Sequence, residues 1–98
     1  MNEKDKMTVV IQIGNTDDKL TQVEWGNFVS SIKLAINLYA ISVHFFGGSP
    51  TWERWQNVTW VIECNKSKIS NLKKALYEIR ESYRQDSVAW MQGKTVFI

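Results

Sequence analysis

With 98 residues, 44% of them hydrophobic and 22% charged, the chain has the balance of one globular domain spanning residues 1–98, and disorder is not expected. Its net charge is only +2, and bases are interleaved with acids (Lys4-Asp5-Lys6, Arg80-Glu81), which argues against a nucleic-acid partner. Cys64 is the single cysteine, which excludes an intrachain disulfide and any multi-cysteine metal site.

No apolar run approaches the roughly 18 residues of a bilayer span, so no membrane partner is expected. The start, MNEKDKM, is charged and leads into a short apolar stretch, unlike a signal peptide, and a cytoplasmic protein is expected. Neither a cofactor nor a metal is called for by any motif.

Thr8 to Ile13 alternates, with Val9, Ile11 and Ile13 on one face, and predicts a strand. GNTDDKL follows as a loop, since Gly, Asn and Asp tolerate turn conformations. Thr21-Gln-Val-Glu24 has the spacing of a capping box. The helix it starts carries Trp25, Phe28, Val29, Ile32, Ala35, Ile36 and Tyr39 on one stripe, with Val23, Leu34 and Leu38 roughly opposite. Ile41 to Phe46 alternates again, with Ile41, Val43 and Phe45 assigned to the core side and Ser42, His44 and Phe46 to the other. After the long connection GGSPTWERWQ, Asn57 to Cys64 is a third strand with Val58, Trp60, Ile62 and Cys64 on its apolar side. A second helix is expected over Ser67 to Arg84, with Ile69, Leu72, Leu76, Ile79 and Tyr83 at 3-4-3-4 spacing. Ser87 to Met91, a Gln92-Gly93 turn and Thr95 to Ile98 then read as a closing hairpin.

The order is β-α-β-β-α-β with one extra short strand. It predicts an α+β, ferredoxin-like split βαβ: an antiparallel sheet with both helices on one face and an added C-terminal hairpin strand. Pairing His44 with Thr59 would set Phe45 against Val58, Val43 against Trp60 and Ile41 against Ile62, all toward the helices. The other face would present Val10, Gln12, Ser42, His44, Phe46, Thr59, Val61 and Glu63. That mixture is too apolar for comfortable exposure and too polar for a sealed core, and together with Val23, Leu34 and Leu38 it points to a homo-oligomer.

Several residues carry possible chemistry. Trp52 and Trp55 fall outside every stripe; they form either a lid on the core or a clamp, where an indole stacked on a nucleobase is worth about 1–3 kcal/mol. Arg54 between them could pair with phosphate, and Gly47-Gly48 could admit an anion to backbone amides. His44 is the lone histidine, and on a half-buried strand it is either a hydrogen-bonded structural group or a catalyst. As a general base it would need an orienting carboxylate, and Glu63 is expected to lie too far along the neighbouring strand to supply one. Asp17-Asp18 is a solvated turn, a partner for ribose hydroxyls or, last in order, a site for a hard cation.

The segments IQIGNTDDKLTQVEW (11–25), VHFFGGSPTWERWQNVTWVIE (43–63) and RQDSVAWMQGKTVFI (84–98) resemble a family of small proteins encoded by phages and prophage-like regions, sharing IGN-DDKL, EW, HF-G-S, WQN and QDS-AW. The resemblance implies a phage context, hence a host-cell cytoplasm, and carries no activity with it. In that context, compact oligomers that trap the nucleotide signals of bacterial immunity at subunit interfaces offer an anti-defence analogy.

On that analogy Trp52 or Trp55 stacks on a base, Arg54 or Lys19 neutralises phosphate, and Asn15, Asp17 or Asp18 binds ribose. Gln56 and Asn57 could read a base edge, and Gln85-Asp86-Ser87 and His44 add polar groups. The loop after the first strand and the loop between the second and third are expected at different ends of the sheet, so a dimer would be needed to unite them. The first expectation is therefore a non-enzymatic binder that sequesters a nucleotide-like small molecule. The alternatives are an inhibitor of a host protein acting through the Trp52/Trp55 loop, and a phosphodiester-cleaving enzyme using His44 with Asp86 or Asp18 assisting.

Overall fold

The computed structural model describes residues 5–50 and 56–98. Trp52, Arg54 and Trp55 lie outside the described residues, as do the readings that rest on them. The elements are β1 (Lys6–Gly14), α1 (Gln22–Tyr39), β2 (Ala40–Gly48), β3 (Asn57–Asn65), α2 (Ile69–Ser82) and β4 (Ala89–Gly93). α1 begins with the capping box that its sequence predicts. The Glu24 amide donates to Thr21 Oγ1 at 3.1 Å, and the Thr21 amide donates to Glu24 Oε1 at 3.0 Å. α2 is shorter than its apolar spacing suggests, because residues 66–68 form a 3-10 turn under an Asn65 cap. At its far end the Arg84 amide donates to the Glu81 carbonyl and the Gln85 amide to the Arg80 carbonyl, with Arg84 at φ 55°. That is a Schellman stop built on a residue other than glycine.

The sheet order is β2-β3-β1-β4, antiparallel throughout, which is the split βαβ, ferredoxin-like topology. Val9, Ile11 and Ile13 of β1, with Trp60, Ile62 and Cys64 of β3, are buried against Trp25, Phe28, Ile32 and Ile36 of α1 and Leu72 and Leu76 of α2. Truncating a large member such as Phe28 or Trp60 to Ala would cost about 3–5 kcal/mol. Among the described residues the opposite sheet face carries no helix.

Two expectations about the sheet are corrected. β2 pairs with β3 as Ala40↔Cys64, Ser42↔Glu63, Val43↔Ile62, Phe45↔Val61 and Phe46↔Trp60, with register shifts between Ala40 and Ser42 and between Val43 and Phe45. Each shift is a bulge that adds one residue to β2. The helix-side residues thus become Ala40, Val43 and Phe46, a period of three, rather than Ile41, Val43 and Phe45. Phe46 accordingly meets Trp60 (ring centroids 5.3 Å apart), and Lys33 Nζ of α1 lies 5.4 Å from its ring centre. The second correction is at the C-terminus. Residues 94–98 form no strand, and the expected closing hairpin is replaced by a tail whose Thr95 hydroxyl contacts Thr8 on the open face.

Candidate functional site

The antiparallel pairing sets Gly14 beside Asn57 and Gln12 beside Ala89, which brings the β1–α1 loop, the start of β3 and the approach to β4 to one end of the sheet. The expectation that the first two loops lie at different ends is therefore wrong: the Asn15 amide donates directly to the Gln56 carbonyl at 2.8 Å. One subunit unites them. Between these loops is a cleft of about 460 Å³ lined by Gln12, Thr16, Asp17, Asn57, Asp86 and Ser87, with Gln85 at its back.

Local chemistry fixes each wall. Asn15, fully buried, donates from Nδ2 to the Leu20 carbonyl at 3.0 Å and accepts the Leu20 amide at 3.1 Å. It pins the loop as a closed Asn15–Leu20 clamp, and Asp18 at φ 56° sits exposed on its outer turn. Gln56 is likewise buried and exchanges reciprocal amide hydrogen bonds with Gln22, at 2.9 and 3.0 Å. The third wall follows from the Schellman stop of α2, where Arg80 Nη1 donates to the Gln85 carbonyl at 2.7 Å and Gln85 Nε2 to the Tyr83 carbonyl at 3.1 Å. Asn15, Gln56 and Gln85 therefore spend their polar groups on the scaffold, while Asp17, Asn57 and Asp86 face the cleft. Gly48 serves the scaffold too. A Cβ there would stand 1.9 Å from the Asn57 carbonyl oxygen, so its glycine admits the backbone of β3.

Lys19 Nζ lies 3.2 Å from Asp86 Oδ2 and 3.6 Å from Asp17 Oδ2. The hydrogen bond that the ammonium donates to Asp86, then the charge of Asp86 and that of Asp17, hold it above its ordinary pKa. The cleft is thus acceptor-rich, with its cation already engaged by two carboxylates. Of the lining residues Thr16 carries no signal in the sequence, because a small polar residue in a loop has no periodicity; Ser87 stands out there with Gln85 and Asp86, and Gln12 only as part of the open sheet face.

His44 is not part of this cleft. It lies on edge strand β2, while Asp86 precedes the opposite edge strand, so the pair imagined for phosphodiester cleavage is not assembled. Its carboxylate partner is Glu63: His44 Nε2 is 3.4 Å from Glu63 Oε1, which also accepts from Thr8 Oγ1 at 2.9 Å. The reading that Glu63 is too distant is thereby overturned, because the first bulge in β2 slides Ser42 opposite Glu63 and brings His44 within reach. These groups line a second groove of about 470 Å³ at the far end of the open face, with Lys6, Ser42, Lys94 and Phe97. Cys64 is buried, and loss of solvation raises its thiol pKa, which leaves it an unreactive core group. Among the described residues no helix is long and apolar enough to cross a membrane.

No family model matches the chain, and no curated protein matches it in sequence. Solved structures match in fold. The C-terminal domain of the MgtC protein from Mycobacterium tuberculosis superposes with a TM-score of 0.63 at 10% identity, over 96% of this chain and 95% of that one. The de novo designed protein Foldit4 gives 0.58 at 17% identity, over 93% and 99%. A dimeric ferredoxin-like protein from an uncultured marine organism gives 0.51 at 10% identity, over 98% and 92%. At such identities the similarity is one of fold.

Proposed function

We propose that the protein is a non-enzymatic binding module that holds a small, nucleotide-like molecule in the loop-end cleft and releases it unchanged. The observation that carries this reading is the convergence of three loops, each pinned by buried amides, around an acceptor-rich cleft of about 460 Å³, a volume in the range of small-molecule sites. Asp17, Asn57 and Asp86 suit ribose hydroxyls and exocyclic amines. Lys19, held by Asp17 and Asp86, is poorly placed to serve a phosphate as well. In a phage setting such a module would act in anti-defence by sequestering a host nucleotide signal. The dimeric structural neighbour supports a homo-oligomeric form.

A thermal-shift panel of nucleosides and of linear and cyclic nucleotides tests the reading. Stabilisation by mass action is expected for at least one class, with the ligand recovered intact after denaturation. Asp86→Ala, at a side chain 84% exposed, should abolish the shift while leaving the ligand-free melting temperature nearly unchanged. A flat panel, or a ligand recovered in altered form, contradicts it. A second reading is favoured by the His44–Glu63 contact: acid–base chemistry in the far groove, for which His44→Ala would remove turnover and leave cleft binding intact.

A further inference from the structure

The open sheet face is ordered in three bands. Register sets Phe45 of β2 against Val61 of β3, Val61 against Val10 of β1, and Val10 against Met91 of β4, an apolar row that crosses all four strands. Phe45 is 52% exposed and Met91 62%. On one side of this row is the groove with Lys6, Lys94 and His44 set against Glu63. On the other is the cleft with Asp17 and Asp86 set against Lys19. One end of the face is therefore basic, the other acidic, and the middle apolar.

We infer that a second copy of this chain covers the open face, related by a two-fold axis that lies between the sheets and runs across the strands along the apolar row. This operator places each row on its counterpart and reverses the strands, so the Lys6/Lys94 groove of each copy overlies the Asp17/Asp86 cleft of the other. The alternative axis, along the strands, would set acid on acid and base on base. Charge complementarity therefore selects the first. With about 4.8 Å between strands and about 3.3 Å per residue, the face measures roughly 500 Å² per copy. Two copies reach the roughly 1,000 Å² that a specific interface requires, with the tail that lies over Thr8 presenting its own surface, including the exposed Phe97 of the basic groove, in place of the strand surface beneath it. Each end of the interface then becomes a chamber with carboxylates and hydroxyls from one copy and lysines from the other. The chamber supplies the cation that the cleft lacks for a phosphate. That last consequence rests on the cleft being the ligand site; the interface itself does not.

Sedimentation velocity of the full chain without any nucleotide tests the interface apart from the ligand. A dimer is expected at micromolar concentration. Phe45→Lys and Met91→Lys, at exposed positions that leave the fold intact, should each give monomer. Lys94→Glu alone and Asp86→Lys alone should weaken the dimer at low salt by roughly tenfold, and the two together should restore it. A monomeric wild type overturns the inference. So does a dimer that survives both face variants and dissociates with Leu34→Lys on the outer side of α1, or a double charge reversal no stronger than the single ones. A dimer that binds no nucleotide leaves the interface standing and removes the binding function.

Discussion

Asn15 and Gln56 illustrate what a polar side chain in a loop conveys. Both are carboxamides beside the cleft, and both are buried and fully engaged with backbone or with each other's neighbours, as the Leu20 and Gln22 hydrogen bonds show. From sequence their amides could equally have met a ligand, because residue type fixes donor and acceptor capacity and not direction. Removing Asn15 strands the Leu20 amide and carbonyl in a buried site, and Asn15→Ala is expected to cost about 2–3 kcal/mol. Chemical denaturation checks this; a loss within a few tenths of a kcal/mol would mean that the clamp does not hold the loop. Asp86 and Asp17 have the converse character: both are exposed, and among the described residues their carboxylates engage Lys19, whose amide also donates to Asp17 Oδ1 at 3.2 Å while only Oδ2 of Asp86 meets its ammonium.

At the scale of elements, most of the fold is legible because periods of 2 and 3.6 match single buried faces. β1, β3 and the α1 stripe follow their apolar spacing residue by residue. β2 does not, because its two bulges replace alternation with a period of three, and nothing in AISVHFFGG distinguishes a bulged edge strand from a regular one. The same bulges bring His44 to Glu63, so that contact was hidden with them. The capping box of α1 was legible, and it also sets a pH dependence. The Thr21 backbone hydrogen bond, the Thr21 hydroxyl and Arg84 hold Glu24 below its ordinary pKa of 4.5. With the folded pKa lowered, the stabilisation is present above pH 4.5 and is lost as pH falls through the depressed folded value. Glu24→Gln should therefore lower the melting temperature at neutral pH, and its difference from wild type should shrink in acid. A difference that stays constant with pH would place the effect elsewhere.

For the whole molecule, the topology decides which loops can cooperate. The β-α-β-β-α-β order was readable, yet the consequence that the β1–α1 loop, the β2–β3 connection and the α2–β4 turn share one end follows only when strand directions are traced through the sheet order β2-β3-β1-β4. That single fact turns scattered polar residues into a cleft and leaves the opposite end of the open face basic. The banding of that face depends on register, and register on the bulges, so neither was visible in the chain alone. The proposed function requires that the cleft take a nucleotide-like molecule. Titration of the isotopically labelled protein with the nucleotide that stabilises it most, followed by amide chemical shifts, tests it most directly. Thr16, Asp17, Asn57, Asp86 and Ser87 are expected to move together and saturably while the ligand's own spectrum shows no conversion. Shifts that leave those five amides still while others move would contradict it.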